Sequence, residues 1–429
     1  MSRRARLLLV LGLSSFVVAC SAAAGGGFSN GDGSGDDDAG THHSSGGGTD
    51  KDGGAATTLP DGAVVLPDGA IVDPDSGVVI NPVGDGSAPT SRIACGGTYC
   101  RGDQSCNAGS CQYACTGTQV PGDYATIQAA LTALVGTTDA KICLKAQSYP
   151  ETVSFSSSST TNTPKSVEIV GVSSSSTTIN ALNISGNPFS HVVVRGVAFT
   201  STVSFTANPE KIELYGVRLG NASTTSYALQ VDSNADLLLD GCEVTASPSY
   251  YGIYLSRSTS AYGAVTTSLA PKVTIRNSWI HDAQYGVYTS TSSYSGSQPT
   301  LNVSLVNNTF SGNNYGISTT GGSYIPMNLT YVNNVIVNSK TYGVSLSAAQ
   351  TTVTAKNNAL WNNVNNYAGS ATDGAGYVKA DLKLDSSQSP PALGAGSPAR
   401  GAADATMAPE VDFWDVTRPS TPDIGAVQN

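Results

Sequence analysis

The stretch VTIRNSWIHDAQYGVYTS, residues 273–290, is followed at 301–320 by LNVSLVNNTFSGNNYGISTT, built to the same plan. Each has apolar residues at alternate positions, then Asn, an apolar residue three places on, and Tyr-Gly before another apolar residue. Working outward, the Gly or Asn that ends each alternating run falls at Gly171, Gly196, Gly216, Gly241, Asn277, Asn307, Asn333 and Asn357, seven intervals over 186 residues. An average of about 27 residues per interval lies in the range of solenoid repeats.

Four residues before these anchors stand Val167, Val192, Ile212, Leu237, Val273, Val303, Leu329 and Val353, and two before stand Ile169, Val194, Leu214, Leu239, Ile275, Leu305, Tyr331 and Ala355. Period-two alternation puts both columns on one face of a short strand. Three residues after the last seven anchors stand Phe199, Leu219, Val244, Ile280, Phe310, Ile336 and Leu360, a new inward column beyond a bend. A strand this short cannot bury its face alone, whereas stacked copies make continuous apolar columns. Tyr251-Gly252, Tyr285-Gly286, Tyr315-Gly316 and Tyr342-Gly343 mark a second bend, where Gly supplies backbone freedom. At the first corner Asn tolerates left-handed geometry, and stacked Asn amides are expected to bond along the axis.

This grammar, over residues 167–370, resembles the right-handed parallel β-helix of the pectate-lyase-like superfamily. YATIQAALTAL at 124–134 and KICLKAQSYPETVSF at 141–155 are similar to the opening of that fold, a capping helix and a first coil. Ile127, Ala130, Leu131 and Leu134 share one helical face. GSPARG at 396–401 and DFWDVTRPSTPDIGAVQN at 412–429 resemble the tail of secreted bacterial β-helix proteins, read here as a structural cap; Val416 and Gln428 replace the more usual Gly and Glu. The fold class is therefore all-β, a single-stranded right-handed parallel β-helix of roughly ten coils, about 50 Å long at about 4.8 Å between strands.

The flanks divide the rest. MSRRARLLLVLGLSSFVVAC reads as a signal peptide, residues 1–19, and Val17-Val18-Ala19-Cys20 resembles a bacterial lipobox in which Cys20 is lipidated. Acyl chains would anchor the protein in the cell envelope, at the outer membrane or cell surface, without a spanning helix. Residues 20–91 form an acidic Gly/Ser/Asp/Pro tether expected to be disordered, with eleven aspartates against Lys51. Its net charge is -10; removal of Arg3, Arg4 and Arg6 takes the chain from -10 to -13, which leaves -3 for residues 92–429. The repeats LPDGAVV, LPDGAIV and DPDSGVV carry Asp61, Asp68 and Asp75, too dispersed to converge on calcium. With no basic stripe, nucleic acid is excluded as a partner.

Residues 92–118 are a small cysteine module, 119–372 the coil and 373–429 the C-terminal cap. Cys95, Cys100, Cys106, Cys111 and Cys115 lack the paired knuckles of zinc sites and read as disulfides, with Cys143 as the sixth member. That leaves Cys242 a lone buried thiol, and no metal site is assigned.

The superfamily implies a search for polysaccharide chemistry. Neither the clustered aspartates of polygalacturonase-like sites nor the Gln-Asp-Thr and Asp-Phe-Ile-Phe-Gly of pectin methylesterases occur in the coil. His281-Asp282 has the form of an acid-base pair but reads as a surface turn, and the column Tyr227, Tyr251, Tyr285, Tyr315, Tyr342, Tyr367 reads as corner stacking. The outward column one residue before each anchor is Val170, Arg195, Tyr215, Asp240, Arg276, Val306, Val332, Lys356. Arg195, Tyr215, Asp240 and Arg276 place an aromatic between charges on four successive rungs, a candidate strip for a glycan. The sequence thus points to a monomeric surface lipoprotein that binds glycans or a surface partner without a cofactor. The alternative is a polysaccharide lyase or glycoside hydrolase acting on an acidic polysaccharide, with calcium required only for a lyase. Cys20→Ser is expected to release the protein from the membrane fraction or leave the precursor unprocessed, read by mass and fractionation; an unchanged result contradicts the anchor.

Overall fold

The structure is a computed structural model that describes residues 57–58, 64–65, 71–72, 79–80, 93–95, 98–101, 104–134, 137, 139–157, 166–186, 190–207, 211–221, 226–232, 235–257, 272–291, 300–321, 326–347 and 351–429. The leader and Cys20 lie outside them. Two units are distinguished, 1–82 and 83–429. In the first, Thr57–Thr58, Val64–Val65, Ile71–Val72 and Val79–Ile80 pair antiparallel in chain order, so the seven-residue period of the expected tether spaces the strands of a small sheet. The rest of that segment lies outside the described residues.

The second unit is the parallel coil. Its first face has ten strands, from Thr118–Val120 to Thr351–Lys356, stacked in chain order. After the last seven first-face strands a bend leads to a corner strand, from Ala198–Phe199 to Ala359–Trp361, and a further bend to a third strand, from Val203–Ala207 to Tyr367–Gly369. Seven turns contain all three strands, fewer than the roughly ten coils expected. Near the N-terminal end, the single long strands Ser148–Ser157 and Thr178–Gly186 run through the second bend, and Thr118–Val120 leads into the capping helix.

Register explains the core. Leu239 pairs with Ile275 and Ile275 with Leu305; Val244 pairs with Ile280 and Ile280 with Phe310. The alternating columns are buried in one continuous cluster from Val120 to Leu360, with only Val353 and Ala355 of the last rung partly exposed. The helix Ile127–Ala133 closes its N-terminal end with Ile127, Ala130 and Leu131 buried. Thr126 Oγ1 accepts from Ala129 N at 3.0 Å, and the Glu151 carboxylate accepts from Ile127 N and Gln128 N, so its first turn is capped twice.

The first bend of all seven turns is left-handed, and so is the second bend of the last four. The first-corner anchors from Gly196 to Asn357 have φ between 49° and 60°, and Asp282, Gly312, Asn338 and Asn362 hold φ between 54° and 68° at the second. The glycines of the Tyr-Gly pairs are thus not the bend. They are required because a Cβ at Gly252, Gly286, Gly316 or Gly343 would press on the carbonyl oxygen of the next rung, at 2.6–2.9 Å.

Anchor amides bond along the axis, with Asn333 Nδ2 donating to Asn307 Oδ1 at 3.1 Å, and a second amide ladder runs one place beyond the anchors. Asn334 Oδ1 accepts from Asn308 N at 3.0 Å and its Nδ2 donates to Leu305 O at 2.8 Å; Asn358 repeats the pattern toward Asn334 N and Tyr331 O. Asn308, Asn334 and Asn358 are fully buried, and their side chains satisfy backbone groups that the bend frees. Removing one leaves buried N–H and C=O groups unpaired, each costing about 1–3 kcal/mol. Asn334→Ala is therefore expected to lower the melting temperature by several degrees while Asn302→Ala, on the outer face, leaves it within about 0.5 kcal/mol of wild type; equal melting of the two variants contradicts the ladder.

Candidate functional site

The expected strip forms in register: Arg195 pairs with Tyr215, Tyr215 with Asp240, and Asp240 with Arg276. Its polar groups, however, are already engaged. Arg195 Nε donates to Glu168 Oε1 at 3.0 Å, and its guanidinium carbon lies 4.1 Å from the centre of the Tyr215 ring. Tyr215 donates its hydroxyl to Glu213, which also receives Lys211 at 2.9 Å and faces His191 Nε2 at 2.6 Å. Asp240 takes Arg276 Nε and Nη2 at 3.0 and 2.8 Å on one oxygen and Asn277 Nδ2 on the other. Arg195 is 9% exposed and Asp240 5%; Arg276 alone among the strip's charges keeps a substantially open side chain.

Titration follows from this geometry. Burial pushes Glu213 up, but hydrogen bonds from His191, Lys211 and Tyr215 and the charge of Lys211 outweigh it and hold the carboxyl at about 2. Burial, then the charge of Glu213, raises the Tyr215 phenol, so it stays protonated. Cys242 is the only free thiol among the described residues, and burial pushes it up to about 12, in keeping with an inert core thiol.

The burial of the strip has a long-range cause. The six expected cysteines pair as Cys95–Cys106, Cys100–Cys111 and Cys115–Cys143, the last tying the module to the first face. Tyr113 and Arg101 of this module lie along the first corner where a Cβ at Gly196, Gly216 or Gly241 would stand. Arg101 then reaches the C-terminal segment, donating from Nη1 to Phe413 O at 3.0 Å and pairing with Asp415 at 2.9 Å.

That segment does more than cap the end. Residues 375–378 bridge to the last turn, and the chain then runs back along the asparagine corners. Asn357 Nδ2 donates to Ala402 O, Asn333 exchanges two bonds with Asp404, Asn307 Nδ2 donates to Asp423 O and Gly425 O, and Asn277 Oδ1 accepts from Arg418. Asp412 caps Trp414 N, Val416 N and Gln428 N, so the tail motif holds the segment's own loops together, as its reading as a cap implies.

What remains open on the first face is its C-terminal half. Lys272, Asn302, Asn328 and Thr352 pair in one outward column, and Thr274, Ser304, Thr330 and Thr354 in the next. Together they line a shallow open depression, and Arg276 stands two residues beyond Thr274 on the same strand. Asn328 Nδ2 donates to Asn302 Oδ1 at 2.9 Å, which sets the amides in a ladder along the coil. Sequence reasoning passed over these residues because polar side chains on an exposed face are ordinary; the signal was their recurrence at fixed offsets from the anchors.

At the second bend, Tyr251, Tyr285 and Tyr315 stack at 5.0 and 4.7 Å with interplanar angles of 14° and 19°, and Tyr254 packs on Tyr288. The rings use much of their faces on one another, as expected for corner stacking. His281 departs from expectation: it is 9% exposed and not a surface turn, because its ring stacks on Trp279 at 3.8 Å.

A coil with these columns and corners is a β-helix, and the family described as right handed beta helix region matches residues 142–381. That is more than half of the 429-residue chain, which belongs to this family. No curated protein matches the chain. Among solved structures, pectate lyase Pel9A is 11% identical over 73% of this chain and 95% of its own, with a TM-score of 0.36. The pectin methylesterase of Aspergillus niger is 16% identical over 63% and 92%, with a TM-score of 0.31. ORF18 of Geobacillus virus E2 is 12% identical over 61% of this chain, with a TM-score of 0.32, and the match spans only 57% of the viral protein.

The depressed carboxyl of Glu213 fixes a sign for acid stability. A group whose folded pKa lies below its unfolded value stabilises the fold above the unfolded pKa, and that contribution is lost as pH falls from about 4.5 toward 2. Wild type is expected to exceed Glu213→Gln in urea midpoint at pH 6, with the gap narrowing at pH 3. A gap that does not change with pH contradicts the assignment.

Proposed function

We propose that this β-helix is a glycan-binding surface protein, anchored through a lipidated Cys20, that takes a neutral or acidic polysaccharide along the open half of its first face. The observation that carries this reading is the in-register array of hydroxyls and amides, Asn302, Asn328 and Thr352 beside Ser304, Thr330 and Thr354, with the cations Lys272 and Arg276 at one end. Four rungs about 4.8 Å apart match a few sugar residues laid along the coil. Hydroxyls and amides both donate and accept, which suits sugar hydroxyls, and a ladder held on strands is preorganised.

The Arg195–Tyr215–Asp240 part of the strip serves in this proposal as a rigid border, because its charges already satisfy one another. The same pairing favours binding over the lyase or hydrolase reading. Glu168, Glu213 and Asp240 are each held by cations, and a carboxyl held at about 2 is not a general acid near neutrality.

The test is a glycan array with the full chain. Asn302→Ala with Asn328→Ala and Thr330→Ala is expected to abolish binding and to leave melting nearly unchanged. Tyr215→Ala with Arg276→Ala is expected to weaken binding only through Arg276, so Tyr215→Ala alone is expected to be near wild type. Binding that survives the triple change, or loss on Tyr215→Ala alone with melting unchanged, contradicts this placement. Release of unsaturated products from uronate polysaccharides would support the lyase instead.

A further inference from the structure

The tyrosines of the second bend stand away from the proposed glycan surface and are gathered by the register of the third-face strands. Tyr251 pairs with Tyr285, Tyr285 with Tyr315 and Tyr254 with Tyr288, so each ring meets its counterpart on the next rung. Ring centres lie 5.0 Å apart between Tyr251 and Tyr285 and 4.7 Å apart between Tyr285 and Tyr315; Tyr227 and Tyr254 approach to 4.6 Å, tilted by 44°. Attraction between aromatic faces accounts for the packing. It leaves unused the chemistry of the phenols, which are partly exposed on all six rings. Cys242, the free thiol that would compete for an oxidant, is fully buried.

A phenol that gives up one electron and one proton becomes a phenoxyl radical, with spin on the ring carbons beside the oxygen. Two such radicals couple through a carbon–carbon bond between those positions, and the hydrogens on the joined carbons then pass to the oxygens. We propose that this column is an oxidative cross-linking site, at which hydrogen peroxide, acting through a haem peroxidase, joins tyrosines on successive rungs as dityrosine. Two phenols and one peroxide give one biaryl and two waters: the O–O bond breaks, one carbon–carbon bond forms, and two electrons and two protons leave the protein. The ring centres are already nearly as close as in a biaryl, so the side chains must turn but the strands need not move. Burial pushes the Tyr251 and Tyr285 phenols up, so both stay protonated near neutrality and release the proton with the electron. Tyr285, with a stacked partner on either side, is the centre of the column. Because each rung of a solenoid contacts only its neighbours, a bond between rungs ties one turn to the next and restricts the unfolded chain as a disulfide does.

The experiment treats the full chain with hydrogen peroxide and a haem peroxidase and reads dityrosine fluorescence, intact mass and the cross-linked peptides. The expected product is a monomer lighter by two hydrogen atoms for each link, joined from Tyr251 to Tyr285 or from Tyr285 to Tyr315, with a yield independent of protein concentration and a melting temperature above that of the untreated chain. Tyr285→Phe keeps the ring and the stack but is expected to remove both links and lower the yield. Tyr377→Phe, at a tyrosine outside the column that is 46% exposed, is expected to leave the yield within the chain unchanged. Should Tyr285→Phe fail to fold, Tyr251→Phe with Tyr315→Phe removes the same links and decides the outcome. Dityrosine that forms mainly between molecules, a yield unchanged by Tyr285→Phe, or the same links formed equally well in urea-unfolded chain overturns the proposal. So does consumption of peroxide without dityrosine.

Discussion

The structure depends on one backbone constraint: at every complete turn the chain must leave the first face through a residue in the left-handed region. Only Gly, or a residue such as Asn whose short polar side chain bonds locally, does so at low cost. Here the choice between them follows what lies outside. Gly196, Gly216 and Gly241 stand where Tyr113 and Arg101 press against the corner, and Asn277, Asn307, Asn333 and Asn357 stand where amides must bond to the returning tail. One conformational requirement thus divides the coil into two halves with different covers. Arg101, bonded to Phe413 and Asp415, joins those covers.

That division positions the candidate sites. Where the module and the adjoining tail cover the first corner, the outward charges of the first face are buried and must pair, which turns the strip into a rigid network. Farther along, the columns that begin with Lys272 and Thr274 stay open and uncharged beyond Lys272. On the corner strands, the tail packs over Val335, Val337 and Ala359 and reaches Trp279. The charge network and the open stretch of the first face are consequences of which stretches of the coil the tail and module cover.

The core was legible in the sequence because it is periodic. Ile275 and Leu239 are buried for the same local reason, alternation on stacked strands, and the column at Val244, Ile280 and Phe310 follows from its fixed offset. Cys143 could be assigned as sixth cysteine because five in the module cannot all pair. The features missed arise elsewhere. Asn307 and Asn308 are adjacent and identical, yet one bonds outward to the tail and the other inward to the ladder, a difference set by the bend. The path of the tail and the burial of Arg195 come from contacts between segments far apart in the chain, which leave no period to read. The glycine after each tyrosine was recognised as necessary for the wrong reason, since rung-to-rung distance, not φ, demands it.

The account rests most directly on the claim that the covers select the corner residue. Asn is an accepted left-handed residue at four anchors, so in a bare coil Gly216→Asn would be nearly neutral. With Tyr113 and Arg101 against that corner, Gly216→Asn is expected to lower the melting temperature markedly, whereas the same change combined with Tyr113→Ala and Arg101→Ala costs little beyond those two substitutions. Additive losses, or wild-type melting for Gly216→Asn alone, would contradict it.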